Sequence, residues 1–309
     1  MSWILISGGT GFIGSYLIPL LESKDDTIFV LTRNKLNSLR NNISFVNFNF
    51  LSDSSFSNIL KEISPDIFIH LAWDVRSPNY SSNSINYLWY KRSLELCKMF
   101  LDSGGKRIIV AGTCYEYDFS VNSVLTEDSV CFPITLYGKC KNALHEELLF
   151  LSKKYKSDLI WTRIFFPYGK GEEKRKFISY LFDCINKDRK LLIKQPDDVI
   201  DYIHVSDIAR ALEMLLYCNC NGVFNICSGN KVMVKDIVNY ITQKFAKNIP
   251  IECSKNCNSK YIVGDSTKLT KLGFKCKYDI YKGIDTYFIS WTSLTKKLGK
   301  NYEILSNLV

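Results

Sequence analysis

Short apolar runs and amphipathic stretches alternate through the first half of the chain. Trp3–Ser7, Ile28–Thr32, Ile43–Phe48, Ile67–Ala72, Arg107–Thr113 and Leu159–Phe165 are rich in Ile, Val and Phe and read as strands. Between most of them lie helical patterns, notably Asn83–Ser103 and Leu136–Lys156. Strands that alternate with helices pair in parallel through right-handed crossovers. These strands are apolar along their whole length, as a sheet covered by helices on both faces requires. The pattern predicts an α/β chain with a doubly wound parallel sheet.

After about residue 166 the pattern loosens. Pro167, Gly169 and Gly171 form a loop, followed by the charged segment Glu172–Lys176. Short strands follow at Leu191–Lys194, Phe224–Cys227 and Ile249–Cys253, with helices at Val205–Cys218, Val234–Ala246 and Ile280–Lys297. The expected division is a sheet domain of residues 1–165, with 200–225 returning to pack on it. A smaller mixed α/β domain takes residues 166–199 and 226–309. No repeat or low-complexity linker interrupts either part.

Composition narrows the class. In a chain of 309 residues, 46% hydrophobic and 14% aromatic content fits a packed enzyme and excludes a disordered protein. No apolar run reaches the roughly 18 residues of a membrane span. Ser2–Ser7 is strand-like from the start, without the basic beginning or cleavage site of a signal peptide. A soluble, cytoplasmic protein is expected. Its 11 cysteines lack regular spacing and read as reduced thiols, Cys218/Cys220 and Cys253/Cys257 included. The net charge of +9 is mostly lysine, a solvated surface of which part can serve phosphate-bearing ligands. Nucleic acid is not an expected partner, because no basic run is interleaved with stacking aromatics.

The first strand runs directly into Gly8-Gly9-Thr10-Gly11-Phe12-Ile13-Gly14, and an apolar helix follows. In this position Gly8 permits a tight turn, Gly11 lets backbone approach a pyrophosphate, and Gly14 lets helix and strand pack closely. The helix N-terminus adds N–H groups and the positive end of a dipole. That is the beginning of a Rossmann-type dinucleotide site. An acid at the end of the second strand would hold a ribose 2′-hydroxyl, whereas Arg accommodates a 2′-phosphate. This strand ends Leu31-Thr32-Arg33-Asn34-Lys35, with Arg40 beyond and no acid, so NADP(H) is favoured and NAD(H) remains open.

Tyr137 and Lys141 stand four apart, on one helix face. An ammonium near a phenol favours the phenolate and lowers its pKa from about 10. Tyr137 is then a candidate general acid/base that exchanges a proton with a sugar hydroxyl or carbonyl while hydride moves. The same spacing occurs at Tyr87/Lys91, Tyr240/Lys244 and Tyr278/Lys282. Only Tyr137 opens the helix after a strand ending Gly112-Thr113, whose hydroxyl would sit at the carboxyl edge of the sheet, where such sheets bind ligands.

With these residues in place the sequence resembles an extended short-chain dehydrogenase/reductase of the nucleotide-sugar epimerase/dehydratase family. The matching pieces include His70-Leu71-Ala72, Thr113 with Tyr117, Leu125-Thr126-Glu127-Asp128, and Pro133 ahead of Tyr137 and Lys141. Further along come Arg163 with Pro167-Tyr168-Gly169, Asp201-Tyr202-Ile203-His204-Val205-Ser206-Asp207, Phe224-Asn225-Ile226, and Gly264-Asp265 before Leu272-Gly273-Phe274. The resemblance implies catalysis by Tyr137, Lys141 and Thr113. It implies cofactor contacts from Gly8, Thr10, Gly11, Phe12, Ile13, Gly14, Arg33, Leu71, Ala72 and Phe165, with Tyr137 and Lys141. It implies a nucleotide-sugar substrate met by Trp73, Cys114, Tyr115, Phe166 and Arg175. It also implies a homodimer joined through helices 83–103 and 136–153, and a place in bacterial surface-polysaccharide supply.

Departures from the family pattern narrow the chemistry. Sugar 4,6-dehydratases carry an Asp-Glu pair directly after the Thr, where this chain has Cys114 and Tyr115. Dual epimerase–reductases carry a Cys two places after the hydroxyl residue, and Cys114 is one place off. Reduction of a 4-keto sugar or 4-epimerisation remains. The stretch Gly112–Asp118 is similar to reductases of dTDP-4-keto-6-deoxyhexoses and to CDP-dideoxyhexose synthases. Phe166 replaces an Asn, and Ile200 an Arg, that in many relatives contact substrate or precede Asp201. Lys170, Arg175, Lys176 and Lys194 are then candidates for the nucleotide half. Loops around Trp73, Tyr80, Cys114, Phe132 and Phe166 would shape the sugar pocket. Scattered His70, His145 and His204 predict no metal site. Non-catalytic relatives commonly lose the Tyr–Lys pair, and this chain keeps it.

Overall fold

Strand β1 (Trp3–Ser7) turns alternate side chains to opposite faces of a sheet, and both faces are apolar. Ile4 and Ile6 join one buried cluster and Leu5 the other. The structure, a computed structural model, describes residues 1–34, 36, 42–76, 79–121, 123–245, 249–253 and 259–288. Around β1 lie β2 (Thr27–Thr32), β3 (Ile43–Asn47), β4 (Ile67–His70), β5 (Arg107–Thr113), β6 (Asp158–Ile164) and the strand Gly222–Ile226. They form one seven-stranded sheet. Every pairing in it is parallel.

From β1 the chain winds to β2 and β3 on one side, then to β4, β5 and β6 on the other. Two layers of helix cover the sheet. Leu17, Ile18 and Leu21 of α1 (Gly14–Leu21) and Ile208, Leu212 and Leu215 of the helix Val205–Tyr217 fill one face. Helices α2 (Phe56–Ile63), α3 (Ile85–Asp102) and α4 (Leu136–Tyr155) fill the other with Phe56, Leu60, Phe100, Leu144 and Leu148. The expected doubly wound sheet is present. Its direction reverses between β1 and β4, which opens a crevice at their carboxyl ends, where such sheets bind ligands.

Beyond β6 the elements are shorter. β7 (Phe166–Tyr168), α5 (Phe177–Asn186), β8 (Leu191–Ile193), β9 (Val199–Ile200), β10 (Tyr202–His204) and α6 (Val205–Tyr217) precede the return to the sheet as β11 (Gly222–Ile226). Then come β12 (Val232–Met233), α7 (Val234–Phe245), β13 (Ile251–Cys253), β14 (Tyr261–Ile262), α8 (Thr267–Lys271) and helical residues 280–288. The expected continuation of that last helix to 297 lies outside the described residues. A separate core of Ile178, Leu181, Ile185, Ile237, Ile241 and Ile284 joins α5, α7 and the last helix. Small sheets pair β7 with β10, β8 with β13, and β9 with β12 and β14.

Buried Asp201, between β9 and β10, accepts from the Ser228 N–H at 2.9 Å, its hydroxyl at 2.6 Å, Gly229 N–H at 2.9 Å and Gly264 N–H at 3.2 Å. Burial still pushes its carboxyl up to about 6. Asp207 accepts from Lys277 and Tyr278 N–H groups. Both acids of the 201–207 motif therefore tie loops together. Cys218 and Cys220, read as reduced thiols, are joined by a disulfide across the end of α6. Cys257 lies outside the described residues. No described helix is long and apolar enough to cross a membrane.

Candidate functional site

At the end of β1, Gly8 takes φ 75°, and a Cβ there would lie 2.7 Å from the Ala72 nitrogen. Glycine lets this turn rest on Leu71 and Ala72 at the end of β4, where the Leu71 N–H donates to Ser7 at 3.0 Å. The Gly11 N–H closes the turn on the Gly8 carbonyl at 2.9 Å. Gly14 begins α1 so close behind that a Cβ would be 2.4 Å from the Gly8 oxygen. Gly11 and Thr10 are exposed, Phe12 and Ile13 half-buried. A Cβ on Gly11 would meet only the Gly8 oxygen, at 3.1 Å, so this backbone is open to a close-lying group. An exposed glycine backbone ahead of a helix N-terminus fits a dinucleotide's pyrophosphate.

Arg33 follows β2 and is exposed. No acid stands near it in sequence, but the fold brings Asp74 from the loop after β4. Asp74 pairs with Arg76 at 3.0 Å, and its carboxyl is held low chiefly by Arg76, with a smaller contribution from Arg33. Lys35 and Arg40 lie outside the described residues.

Next to β4, β5 ends in Thr113, which caps the short 3-10 helix Cys114–Glu116. The Tyr115 N–H donates to the Thr113 hydroxyl, and Glu116 accepts from the Thr113 N–H at 2.8 Å. Fully buried Glu116 also accepts from the Trp161 indole N–H at 2.9 Å and the Arg163 guanidinium at 2.9 Å. Arg163 stacks on Tyr117, whose hydroxyl donates to Asn225 at 2.6 Å. Asn225 in turn donates to Glu127 and to the Leu125 carbonyl. The family-like motifs around 117, 125–128, 163 and 224–226 thus form one buried network that fixes the end of β5. Glu116 did not emerge as a site residue from sequence reasoning. Its signal was Thr113-x-x-Glu116, the spacing of a capping box.

Helix α4 brings Tyr137 beside Thr113, whose hydroxyl acts on the phenol in the direction that favours its charged form. Around the Tyr137 ring stand Tyr80, Trp73 and Tyr115, with centroids at 5.3, 6.0 and 6.2 Å. The approach depends on Gly138, a second residue missed from sequence: a Cβ there would lie 2.2 Å from the Tyr115 oxygen. Asn86 is a third. It is buried, accepts from the Trp73 indole N–H at 2.8 Å and donates to the Tyr80 carbonyl at 2.6 Å.

One electrostatic expectation is corrected. Burial, followed by the phenol of Tyr80, pushes the Tyr137 phenol up rather than down. Lys141 does not offset this, because its ammonium donates to the Ala111 carbonyl at 2.7 Å and stands 3.9 Å from the centre of the Trp73 ring. Burial pushes Lys141 itself down to about 7. The other Tyr/Lys pairs are committed elsewhere. Tyr87 is exposed, Tyr240 donates to Asp285, and Tyr278 packs on His204.

A profile of the NAD dependent epimerase/dehydratase family matches residues 4–227. The chain belongs to that family. The dTDP-4-dehydro-6-deoxyglucose reductase of Escherichia coli is 28% identical over 308 residues, spanning 91% of this chain and 95% of the relative. The CDP-abequose synthase of Yersinia pseudotuberculosis is 23% identical over 273 residues, 85% of this chain and 91% of the relative. The Thermus thermophilus UDP-glucose 4-epimerase in complex with NAD shares the fold, with a TM-score of 0.78 at 18% identity over 91% of this chain and 96% of that one.

Within this epimerase/dehydratase framework some expected residues sit differently. Phe165, expected as a cofactor contact, is fully buried, with its ring against Tyr117. Cys114 is also buried, 1% exposed, while Phe166 reaches Tyr115 with centroids 5.9 Å apart. Arg175 is held at the rim, paired with Glu173 at 2.7 Å and donating to the Arg76 carbonyl. Lys194 is exposed. Lys176 lies 4.1 Å over the Tyr80 ring, nearer the Tyr137 cluster than its sequence position suggested. His70 is structural, bound to Ser7 at 2.7 Å and Ser93 at 2.9 Å. His145 stacks on Trp161 and His204 caps α6. Among the described residues no group of His, Cys, Asp and Glu is arranged to hold a metal ion.

Proposed function

We propose that this member of the family reduces the 4-keto group of a nucleotide-activated 6-deoxyhexose, as in the conversion of dTDP-4-keto-6-deoxyglucose to dTDP-fucose. The observation that carries the reading is the Tyr137 phenol, kept protonated by burial and standing beside Thr113 at the carboxyl edge of the sheet. A protonated phenol suits the donor side of a reduction. A dinucleotide whose pyrophosphate rests on the glycine turn would supply the hydride from its nicotinamide. Tyr137 donates its proton to the sugar oxygen, Thr113 donates a second hydrogen bond to that oxygen, and Lys141 supplies a cation beside them. Cys114 and Tyr115 provide no acid/base pair for water loss, which supports reduction over dehydration.

Gly8, Thr10, Gly11, Phe12, Ile13, Gly14, Leu71 and Ala72 line the proposed cofactor path, with Arg33 favouring NADPH. Residues 1–165 with 200–225 carry the dinucleotide in this reading, and 166–199 with 226–309 carry the sugar nucleotide. Trp73, Tyr115, Phe166 and Arg175 are the proposed substrate contacts. The second reading is a 4-epimerase with tightly held NAD, and Asp74 beside Arg33 favours it by offsetting the cation that a 2′-phosphate would use. We also propose a homodimer, because Ile85, Tyr87, Leu88, Leu149 and Phe150 of α3 and α4 are exposed. A monomer by light scattering at working concentration would remove it.

The test mixes the protein with NADPH, and separately NADH, and the dTDP, CDP or GDP form of the 4-keto-6-deoxy sugar. Loss of reduced-nicotinamide absorbance, faster with NADPH, is expected with one of them. No loss with any, together with NAD released on denaturation, would favour the epimerase.

A further inference from the structure

Lys141 poses a physical problem that the proposed reaction leaves open: what holds a buried cation in place. Its ammonium has the Ala111 carbonyl on one side, at 2.7 Å, and the face of Trp73 on the other, 3.9 Å from the ring centre. The other groups that act on its charge are Glu116, Cys97, Cys140 and His70. Glu116 is engaged by Arg163 and Trp161. Both thiols are pushed up by burial and stay neutral, and His70 is pushed well down and stays neutral too.

The Trp73 ring is fixed from several sides. Its indole N–H donates to Asn86 at 2.8 Å, and buried Asn86 is anchored to the Tyr80 and Asn83 carbonyls at 2.6 and 2.8 Å. Trp89 stacks near it, with centroids 6.1 Å apart, and Phe50 stacks on Trp89 at 5.0 Å. A desolvated aromatic face attracts a cation through its quadrupole, most strongly for Trp. Unlike a carboxylate, it takes none of the ammonium's hydrogen-bond donors.

We propose that Trp73, keyed by Asn86, is a positioning residue that holds the Lys141 ammonium in the site through its ring face and leaves the N–H groups not bound to Ala111 for the reacting partners. This goes beyond a substrate contact for Trp73 and rests on the reading of Lys141 as part of the catalytic group. Loss of the ring should move the Lys141 titration midpoint down by about one pH unit. The upper limb of the kcat profile should move with it.

The test follows the Lys141 side chain by NMR in protein made with isotope-labelled lysine, its signal being the one missing from Lys141→Met. The midpoint is compared in the parent, Trp73→Phe, Trp73→Leu and parent protein made with fluorinated tryptophan. Fluorination weakens the ring's quadrupole and keeps its shape, so it decides the matter even if Trp73→Leu does not fold. The expected order is parent highest, then Trp73→Phe, then Trp73→Leu, with a downward shift from fluorination that is absent in the Trp73→Phe background. Unmoved midpoints under fluorination and in a folded Trp73→Leu protein would overturn the proposal. The midpoint is read without substrate. Absence of keto reduction with a shifted midpoint would therefore sink the proposed function and leave the Trp73 role standing.

Discussion

Replacing Gly138 by Ala sets two physical effects against each other. Helix propensity alone favours Ala in the first turn of α4, where Gly138 lies, by at most roughly 1 kcal/mol. The structure opposes it, since the new Cβ would lie 2.2 Å from the Tyr115 carbonyl oxygen and 3.1 Å from Pro133. An ordinary carbon–oxygen contact needs about 3.3 Å, so α4 and the 3-10 helix must separate by about 1 Å. Such overpacking costs about 1 to 3 kcal/mol, which leaves a net loss of up to about 2 kcal/mol after the propensity gain. The displaced residue is the neighbour of Tyr137, and a shift of about 1 Å at reacting groups lowers kcat on the order of a hundredfold. Urea denaturation and steady-state reduction of the 4-keto sugar check both halves. A Gly138→Ala protein more stable than the parent, with unchanged kcat, would refute the close approach of the helix to Tyr115.

The remaining predictions use the same site. Tyr137→Phe should keep the fold and lower kcat by about a hundredfold or more, since it removes the proton donor and leaves the ring packing intact; unchanged turnover would sink the assignment. Lys141 is pushed down to about 7, so the unfolded chain binds its proton more tightly, and stability should rise as pH increases from about 7 toward the ordinary lysine value near 10.4. In Lys141→Met that rise should be missing, and the variant should be more stable at pH 7 by about 1 to 3 kcal/mol after allowing for the lost bond to Ala111; melting curves across pH measure it. Glu116→Gln leaves Arg163 without its buried charge partner and should destabilise by about 3 to 5 kcal/mol, with kcat falling because one amide oxygen cannot serve both the Thr113 N–H and Arg163. A loss below about 1 kcal/mol in denaturant would contradict the buried pair.

Much of the sheet was readable because its central strands bury both faces. β1 and β5 run over the residues that their apolar stretches mark. α5 was not expected, because its run begins directly after the charged segment 172–176 and its partners on α7 and β8 are distant in the chain. β9, β12 and β14 have two residues each, too few to show any period. At the site, the sequence brought Thr113, Tyr137 and Lys141 to one sheet edge, and the glycine turn to the same edge at β1, which β4 separates from β5. It did not show their electrostatics. Spacing placed Lys141 on the Tyr137 face, but the direction of its ammonium depends on Ala111 and Trp73, which come from other elements. Asp74 meets Arg33 only through the order of the strands. Glu116 finds Trp161 and Arg163 across the β5–β6 pair.

The central claim is that hydride reaches C4 of the sugar from nicotinamide while Tyr137 delivers the proton. It is tested most directly by giving the protein NADPH deuterated at the transferable position, with the 4-keto-6-deoxy sugar nucleotide, and analysing the product by mass spectrometry and NMR. The account predicts deuterium at C4 of the reduced sugar in step with cofactor oxidation, abolished in Tyr137→Phe. A sugar epimerised at C4 without deuterium, and with no net cofactor oxidation, would contradict it.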